Sequence, residues 1–296
     1  MALAAPLKPL VAIPALVGLA YVLRRFFRPT WDALDLEARE AWARATPGEQ
    51  QRRAACAFAA AAFGLAFMRF FGRSEDFKEF FGDWAAARPA LRYDLFSALY
   101  GQAWWAVFRV LGYVAVPALV WKLAFRRERV RDVGGLRLGG GGGLGGHRNG
   151  RLYLIALALV LPCVAVASGQ RDFADKYPIY KLAGRSWLDL AAWEGMYALQ
   201  FLALEFFFRG WWVNALRPVI GSAAIFSTMV PYCMIHYSKP YLEAMGAIAT
   251  TVALGSLAVR SGNVFLGFGV HVTVALAMDF AAILRKGELP QALVPW

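Results

Sequence analysis

The feature that most constrains the fold is a series of apolar stretches, each long enough to cross a lipid bilayer. A transmembrane helix needs about 20 mainly apolar residues, and 59% of this chain is hydrophobic while only 18% is charged. Soluble domains carry about 25% charged residues. We therefore predict an all-α polytopic membrane protein with about eight transmembrane helices. The predicted spans cover residues 7–23, 54–71, 103–125, 152–168, 187–216, 219–237, 241–259 and 263–284.

The segments between the spans carry most of the positive charge, which amounts to a formal net charge of +12. Lys and Arg are densest in 24–53 and 122–151, which fall on one side of the membrane and are expected to face the cytoplasm, with the N-terminus outside. Loops of this kind lie beside anionic lipid. They do not form the basic, aromatic-studded face of a nucleic-acid-binding protein, so the lipid bilayer is a predicted partner and nucleic acid is not.

The order of the apolar and basic segments also predicts the organisation of the chain. Arg24, Arg25 and Arg28 follow the first apolar run instead of preceding it, so we expect an uncleaved anchor helix, not a signal peptide. The Gly-rich stretch 134–146 lacks the Lys-Ser/Thr of a phosphate-binding loop. We interpret it as a flexible linker. It lies near the boundary between a predicted N-terminal membrane region and a C-terminal core, residues 1–151 and 152–296.

Ionisable side chains inside the last spans need an explanation, because a charge within a bilayer is costly unless it is paired. Glu205 and Arg209 are four residues apart in the fifth span, so they share a helix face and can neutralise each other. Glu194 precedes Glu205 by about three helical turns and lies on the same stripe. These residues by themselves fit a buried ion pair that fixes helix packing as well as they fit a functional site.

Two histidines in neighbouring spans shift the interpretation towards a functional site. His236 ends the sixth span and His271 lies in the eighth. At a rise of about 1.5 Å per residue, Glu205, His236 and His271 are predicted about 16, 24 and 12 Å from the same membrane face. All three side chains would then lie in one broad layer near the middle of the membrane, and we expect them to meet.

A carboxylate and two imidazoles in that layer suit two kinds of hydrolytic chemistry. In one, Glu205 takes a proton from water while His236 and His271 orient the water or donate to the developing oxyanion. In the other, Glu205, His236 and His271 bind a divalent metal such as zinc with an open position for water. The spacing of the residues does not separate these two alternatives.

The same residues resemble the motif of the CPBP intramembrane protease family, which includes CAAX-processing and bacteriocin-related proteases. The family pattern is Glu-Glu-x-x-x-Arg, then an aromatic residue before a His, then a last His followed four residues later by Asn or a similar polar residue. In this chain Glu205, Arg209, Tyr232, His236 and His271 match it, within about 187–284. The resemblance implies a helical bundle with a water-filled intramembrane cavity and cleavage of a membrane-embedded or lipid-anchored peptide or protein.

Two positions depart from the family pattern. The first Glu of the pair, which the family uses to activate water, is Leu204, and the polar residue after the last His is Ala275. If the protein is active, the resemblance implies that Glu205 takes the role of base. An oxyanion donor would then come from His236, Thr273 or Asp279.

Three function classes follow from these patterns. The first is an intramembrane endopeptidase in the cytoplasmic membrane of a bacterium, a source indicated by the Ala-, Arg- and Gly-rich composition. The second is a catalytically inactive relative that binds and regulates membrane partners, indicated by Leu204 and Ala275. The third is a transporter, indicated by ionisable residues within apolar runs, although no internal repeat supports it; these residues are Glu194, Glu205, Arg109 and Asp279.

Overall fold

The chain is helical throughout the regions that our computed structural model describes, which are residues 8–136 and 150–295. No β-strand occurs in these residues. The Gly-rich stretch beyond Leu136, together with His147, lies outside them. In chain order the helices are α1 (Lys8–Arg44), α2 (Glu49–Phe71), α3 (Asp76–Ala86), α4 (Tyr93–Val110), α5 (Val116–Ala124), α6 (Val130–Val133), α7 (Gly150–Ala167), α8 (Arg171–Lys176), α9 (Trp187–Glu205), α10 (Val213–Ile220), α11 (Ala223–Ser227), α12 (Met229–Met234), α13 (Tyr241–Ser261) and α14 (Phe265–Lys286).

Five helical stretches in the described residues are long and apolar enough to cross a membrane. They are Glu49–Phe71, Tyr93–Ala124, Gly150–Ala167, Glu243–Ser261 and Phe265–Lys286. Helix α7 also leaves large aliphatic side chains exposed, including Leu154 (67%), Leu159 (68%) and Val166 (74%), as contact with lipid requires. These observations confirm the prediction of an all-α polytopic membrane protein. The predicted regions 1–151 and 152–296, and the orientation in the membrane, stay predictions.

The structure differs from the prediction at residues 219–237, which do not form one membrane-crossing helix. The chain there forms the short helices α11 and α12. Residues 223–234 extend over only about 18 Å at 1.5 Å per residue, whereas the hydrocarbon core is about 30 Å thick. The helix is interrupted at Thr228, whose hydroxyl donates to the carbonyl oxygen of Ile225 at 2.7 Å, and Pro231 has no N–H to continue the ladder.

This break changes the surroundings of His236, which follows α12 in a turn instead of lying in a spanning helix. The depth of about 24 Å predicted for it assumed a continuous helix and is therefore wrong. The fifth predicted span also has an irregular course. Its helix α9 is followed directly by a π-helical segment, Phe206–Trp212, and then by α10. Such wide turns often occur at functional sites.

Contacts between Cα atoms divide the chain into two compact units. The first unit contains residues 1–57, 131–149 and 208–264. Within it, α1 packs against α10 and α13, and indole N–H groups of α1 fix these contacts. Trp31 donates to the hydroxyl of Ser256 at 3.0 Å, and Trp42 donates to the carbonyl oxygen of Val219 at 2.8 Å. Its core is built from Leu34, Val213, Ile225, Val252 and Val259.

The second unit contains residues 58–130, 150–207 and 265–296. Within it, α9 packs against α4 and α14, and α7 packs against α14. A buried network fixes where α9 begins: the Ser186 hydroxyl accepts the backbone N–H of Asp189 at 3.1 Å. The Asp189 carboxylate in turn accepts from the Tyr180 hydroxyl and from the Arg185 guanidinium, both at 2.9 Å. The second unit thus holds α9 and α14 side by side.

Candidate active site

The second unit brings Glu205 of α9 and His271 of α14 into direct contact. The Nδ1 atom of His271 lies 2.5 Å from Oε1 of Glu205. The Glu205 residue is fully buried, and the His271 side chain is 13% exposed. With Glu205 ionised, this contact requires the His271 tautomer that has the proton on Nδ1 and the lone pair on Nε2. The structure thus brings two of the three predicted site residues into contact.

A glycine on α14 makes room for this carboxylate. A Cβ atom built on Gly267 would lie 2.6 Å from Oε2 of Glu205, closer than real Cβ contacts. Gly267 lies one helical turn before His271, on the same face of α14. Any larger side chain at this position would occupy the space that the carboxylate needs. Gly267 therefore belongs to the site.

An aromatic ring on α9 holds the imidazole from another side. The ring of Phe201 stacks on His271 with centroids 5.4 Å apart and an interplanar angle of 26°. Phe201 lies one turn before Glu205, so α9 presents the ring and the carboxylate from one face. The sequence analysis missed both Phe201 and Gly267. Each of them precedes a site residue by four positions and therefore lies on the same helix face as that residue.

Asp279 has a different partner, further along the same pair of helices. Its Oδ2 accepts the indole N–H of Trp193 at 2.7 Å. It follows His271 by eight residues, which is about 12 Å along α14. Between these two polar contacts lies an aromatic cluster that includes Tyr197 and Ala275. Asp279 thus lies apart from the contact between Glu205 and His271.

The other predicted supporting residues of this unit have varied surroundings. The Thr273 hydroxyl donates to the carbonyl oxygen of Gly269, one turn earlier, at 2.7 Å. Both carboxylate oxygens of Glu194 are buried, and neither has a hydrogen-bond partner within the described parts of the chain. The Arg109 guanidinium lies 3.8 Å from the sulfur of Met68 and over the ring of Trp105. The contacts described for Thr273 and Arg109 are thus made with residues other than Glu205.

The first unit brings together the remaining residues of the motif. The Arg209 guanidinium lies over the ring of Tyr232, 4.2 Å from its centroid. The imidazole of His236 lies 4.6 Å from the same ring, centroid to centroid, and its Nδ1 donates to the carbonyl oxygen of Tyr232 at 2.7 Å. The aromatic residue of the motif thus contacts both the cation and the histidine. Neutralisation of Glu205 by Arg209 stays a prediction.

The donors proposed for a metal do not form a ligand set. Across residues 8–136 and 150–295 no group of three or more His, Cys, Asp or Glu side chains could hold a metal ion. In the second unit, Nδ1 of His271 and Oε1 of Glu205 bind each other. The choice between acid–base chemistry and the zinc alternative stays a prediction.

The two departures from the family motif are buried apolar side chains. Leu204 is 4% exposed and Ala275 is 4% exposed. Ala275 belongs to the cluster that contains Trp193 and Tyr197. Both positions are therefore filled by apolar packing.

Comparison with known proteins gives one match, which covers the residues of the candidate site. The family model described as Type II CAAX prenyl endopeptidase Rce1-like matches residues 186–277. That range includes Glu205, Arg209, His236 and His271. Neither a curated protein nor a solved structure matches the chain. Over residues 186–277 the chain is therefore similar to the Rce1-like, type II CAAX prenyl endopeptidase family, and the resemblance predicted from the sequence is confirmed.

Proposed function

We propose that the protein is an intramembrane endopeptidase that hydrolyses a peptide bond with an activated water molecule. The observation that carries the proposal is the hydrogen bond between Glu205 and His271, inside the segment that matches the protease family. A buried carboxylate that orients an imidazole is the arrangement by which hydrolases activate a nucleophile.

In this proposal His271, not Glu205, accepts the first proton. The carboxylate holds the tautomer that has Nδ1–H, which leaves the lone pair of Nε2 to take a proton from water. The resulting hydroxide attacks the carbonyl carbon of the scissile peptide bond. Glu205 stabilises the imidazolium that forms, since their contact then becomes charge-assisted. In this assignment His271 takes the role of the water-activating glutamate of the family, whose position is occupied by Leu204.

The second half of the reaction returns the same proton. The C–N bond of the tetrahedral intermediate breaks as the His271 imidazolium donates its Nε2 proton to the leaving amine, which restores the neutral enzyme. His236 and Arg209 enter the proposal through their positions in the motif. Their chemistry suits the oxyanion, because an imidazolium or a guanidinium donates to a developing negative charge.

The substrate class follows from the site's place in a membrane protein. We infer a membrane-embedded or lipid-anchored peptide or protein as substrate, and the cytoplasmic membrane of a bacterium as location. The name of the matching family refers to prenylated CAAX peptides. The Ala-, Arg- and Gly-rich composition favours a bacterial source, so both lipidated and unmodified membrane peptides have to be tested.

The test is hydrolysis by the purified full chain in liposomes. Two probes are used: a fluorogenic peptide that ends in a farnesylated CAAX sequence, and an unmodified hydrophobic peptide. We expect a cleavage product, identified by mass spectrometry, for at least one of them. His271→Ala and Glu205→Gln are each expected to lower kcat by about 10²–10⁴-fold, the usual contribution of acid–base groups. His147→Ala, which alters the third histidine, is the matched control.

The outcomes are distinct. A kcat for His271→Ala equal to that of His147→Ala removes the catalytic assignment. If kcat falls strongly in Glu205→Gln but does not change in His271→Ala, Glu205 is the base instead of His271. Both variants are compared with the wild type by size-exclusion chromatography, so that a loss of fold is separated from a loss of chemistry.

A non-catalytic relative is the second candidate function. It is favoured by the buried apolar side chains of Leu204 and Ala275 at positions where the family motif is polar. Such a protein would capture membrane peptides without cutting them. Crosslinking of an intact probe to the wild type, with no product after long incubation, would support this candidate, and one sequenced cleavage product would eliminate it.

A further inference from the structure

The second unit contains a pocket that the proposed hydrolytic chemistry does not use. It has a volume of about 360 Å³ and lies where α9 begins and α14 ends. Its lining includes the cations Lys181 and Arg185, the carboxylate of Glu288, and the apolar side chains of Leu182 and Leu289. Since α7 and α14 are candidate membrane spans that end at Ala167 and Lys286, the pocket lies where helix ends enter the headgroup layer.

The walls of the pocket are held by backbone contacts. The N–H groups of Trp187 and Leu188 donate to the carbonyl oxygens of Ala292 and Leu293, both at 3.0 Å. A Cβ atom on Gly184 would lie 2.2 Å from the carbonyl oxygen of Glu288, so only glycine permits this approach. The segment after α14 is therefore fixed against the loop that precedes α9, and the pocket is a built feature of the unit.

Two lysines at this end of the unit donate to neutral carbonyl groups. Lys181 donates from Nζ to the carbonyl oxygens of Asp175 and Lys176, both at 2.9 Å, and Lys286 donates to the carbonyl oxygen of Tyr177 at 2.7 Å. Burial, and then the positive charges of Lys286 and Lys176, hold the pKa of Lys181 below its usual value. These ammonium groups repel one another, and an anion between them would relieve the repulsion.

Arg185 and several carboxylates also lie at this end of the unit. Arg185 forms a salt bridge with the buried Asp189 at 2.8 Å. The carboxylates that attract Lys181 are those of Asp279 and Asp175, and Glu288 lines the pocket. Asp279 is already bound by an indole N–H. Lys181 is therefore the lining cation that an incoming anion would meet, with the positive charges of Lys286 and Lys176 near it.

The rim of the pocket is apolar and exposed. Large side chains on both walls are open to the surroundings: Leu182 (38%), Leu289 (42%), Leu293 (79%) and Val294 (57%). Trp187, at the start of α9, is 45% exposed, and Trp is typical of the membrane interface. An apolar rim next to a cationic pocket matches a ligand that has an anionic head and hydrocarbon chains. A free anion would not use the rim.

We propose that this pocket binds the phosphate headgroup of an anionic phospholipid, with the lining cations Lys181 and Arg185 at the phosphate, the positive charge of Lys286 close by, and the acyl chains over the leucines of the rim. Each lysine near an anionic headgroup contributes about 1 kcal/mol, which is about a fivefold change in Kd. The site thus selects lipid by headgroup charge, and its occupancy fixes the start of α9.

The experiment measures lipid binding to the purified full chain in detergent by native mass spectrometry and by thermal unfolding. Phosphatidylglycerol is expected to bind saturably and raise Tm, whereas phosphatidylcholine with the same chains is not. Lys181→Gln and Lys286→Gln are each expected to weaken phosphatidylglycerol binding by about fivefold. Lys181→Arg should retain binding, and Lys78→Gln, an exposed lysine of α3, is the matched control.

Three results would overturn the proposal. Equal binding of both lipids removes the role of headgroup charge. Affinity unchanged in both Lys181→Gln and Lys286→Gln removes the pocket as the site, and the use of two variants covers the case in which one of them does not fold. Stabilisation by inorganic phosphate equal to that by phosphatidylglycerol assigns the site to a free anion instead of a lipid.

Discussion

Gly267 offers the sharpest test of the contact between Glu205 and His271. In Gly267→Ala the new Cβ would lie 2.6 Å from Oε2 of Glu205, whereas ordinary contact begins at 3.4 Å, a shortfall of about 0.8 Å. The carboxylate is rigid, so moving Oε2 by that amount also moves Oε1 off the N–H of His271. A displacement of about 1 Å at a reacting group costs about 10²-fold in rate. We therefore expect kcat to fall by about 10²-fold.

The stability of this variant should change much less than its rate. Overpacking costs about 1–3 kcal/mol, and exchange of Gly for Ala inside a helix returns about 0.5–1 kcal/mol. Gly269→Ala is the matched control on the same helix, because its Cβ would meet nothing within 4 Å. Gly269→Ala should gain about 0.5–1 kcal/mol of stability from the exchange of Gly for Ala inside a helix and keep the wild-type kcat.

The assay combines peptide hydrolysis in liposomes with ¹⁵N NMR of labelled histidine, since the chain has only three histidines. We expect the Nδ1–H signal of His271 to shift in Gly267→Ala and to stay in place in Gly269→Ala. If the two variants have the same kcat and the same imidazole spectrum, the carboxylate does not depend on the space at Gly267, and the reasoning fails.

Three further predictions concern stability. Burial alone would raise the pKa of Asp76, but hydrogen bonds from Arg73 outweigh it and hold this pKa below 3.8. The Asp76 carboxylate therefore contributes its full stabilisation above pH 3.8, and the contribution is lost as the pH falls through the folded-state pKa. The Tm difference between wild type and Asp76→Asn should shrink in acid. Tyr180→Phe removes a hydrogen bond to the buried Asp189 carboxylate and should cost about 1.5–3 kcal/mol in denaturant unfolding. Glu194→Met replaces a carboxyl group whose oxygens are buried without a hydrogen-bond partner in the described residues, so Tm should stay equal or rise; a lower Tm would contradict this.

The local properties of the chain were open to prediction because they depend on neighbours in sequence. The length and apolarity of a segment decide whether it crosses a membrane, so five spans could be recognised from residue order alone. The motif around Glu205, His236 and His271 could be recognised in the same way. Three of the eight predicted spans, 7–23, 187–216 and 219–237, are not among the five found in the described residues. In 219–237 the apolar composition hides the break at Thr228 and Pro231.

The sequence by itself thus determined a helical membrane protein and named the residues from which a hydrolytic site could be built. Only the tertiary structure decided which of these side chains meet. The register of α9 against α14 pairs Glu205 with His271 and Trp193 with Asp279. That register depends on packing between residues far apart in the chain, on the space left by Gly267 and on the aromatic layer around Tyr197. Spacing within one helix carries no information about it, because it is set by the fit of two helix surfaces.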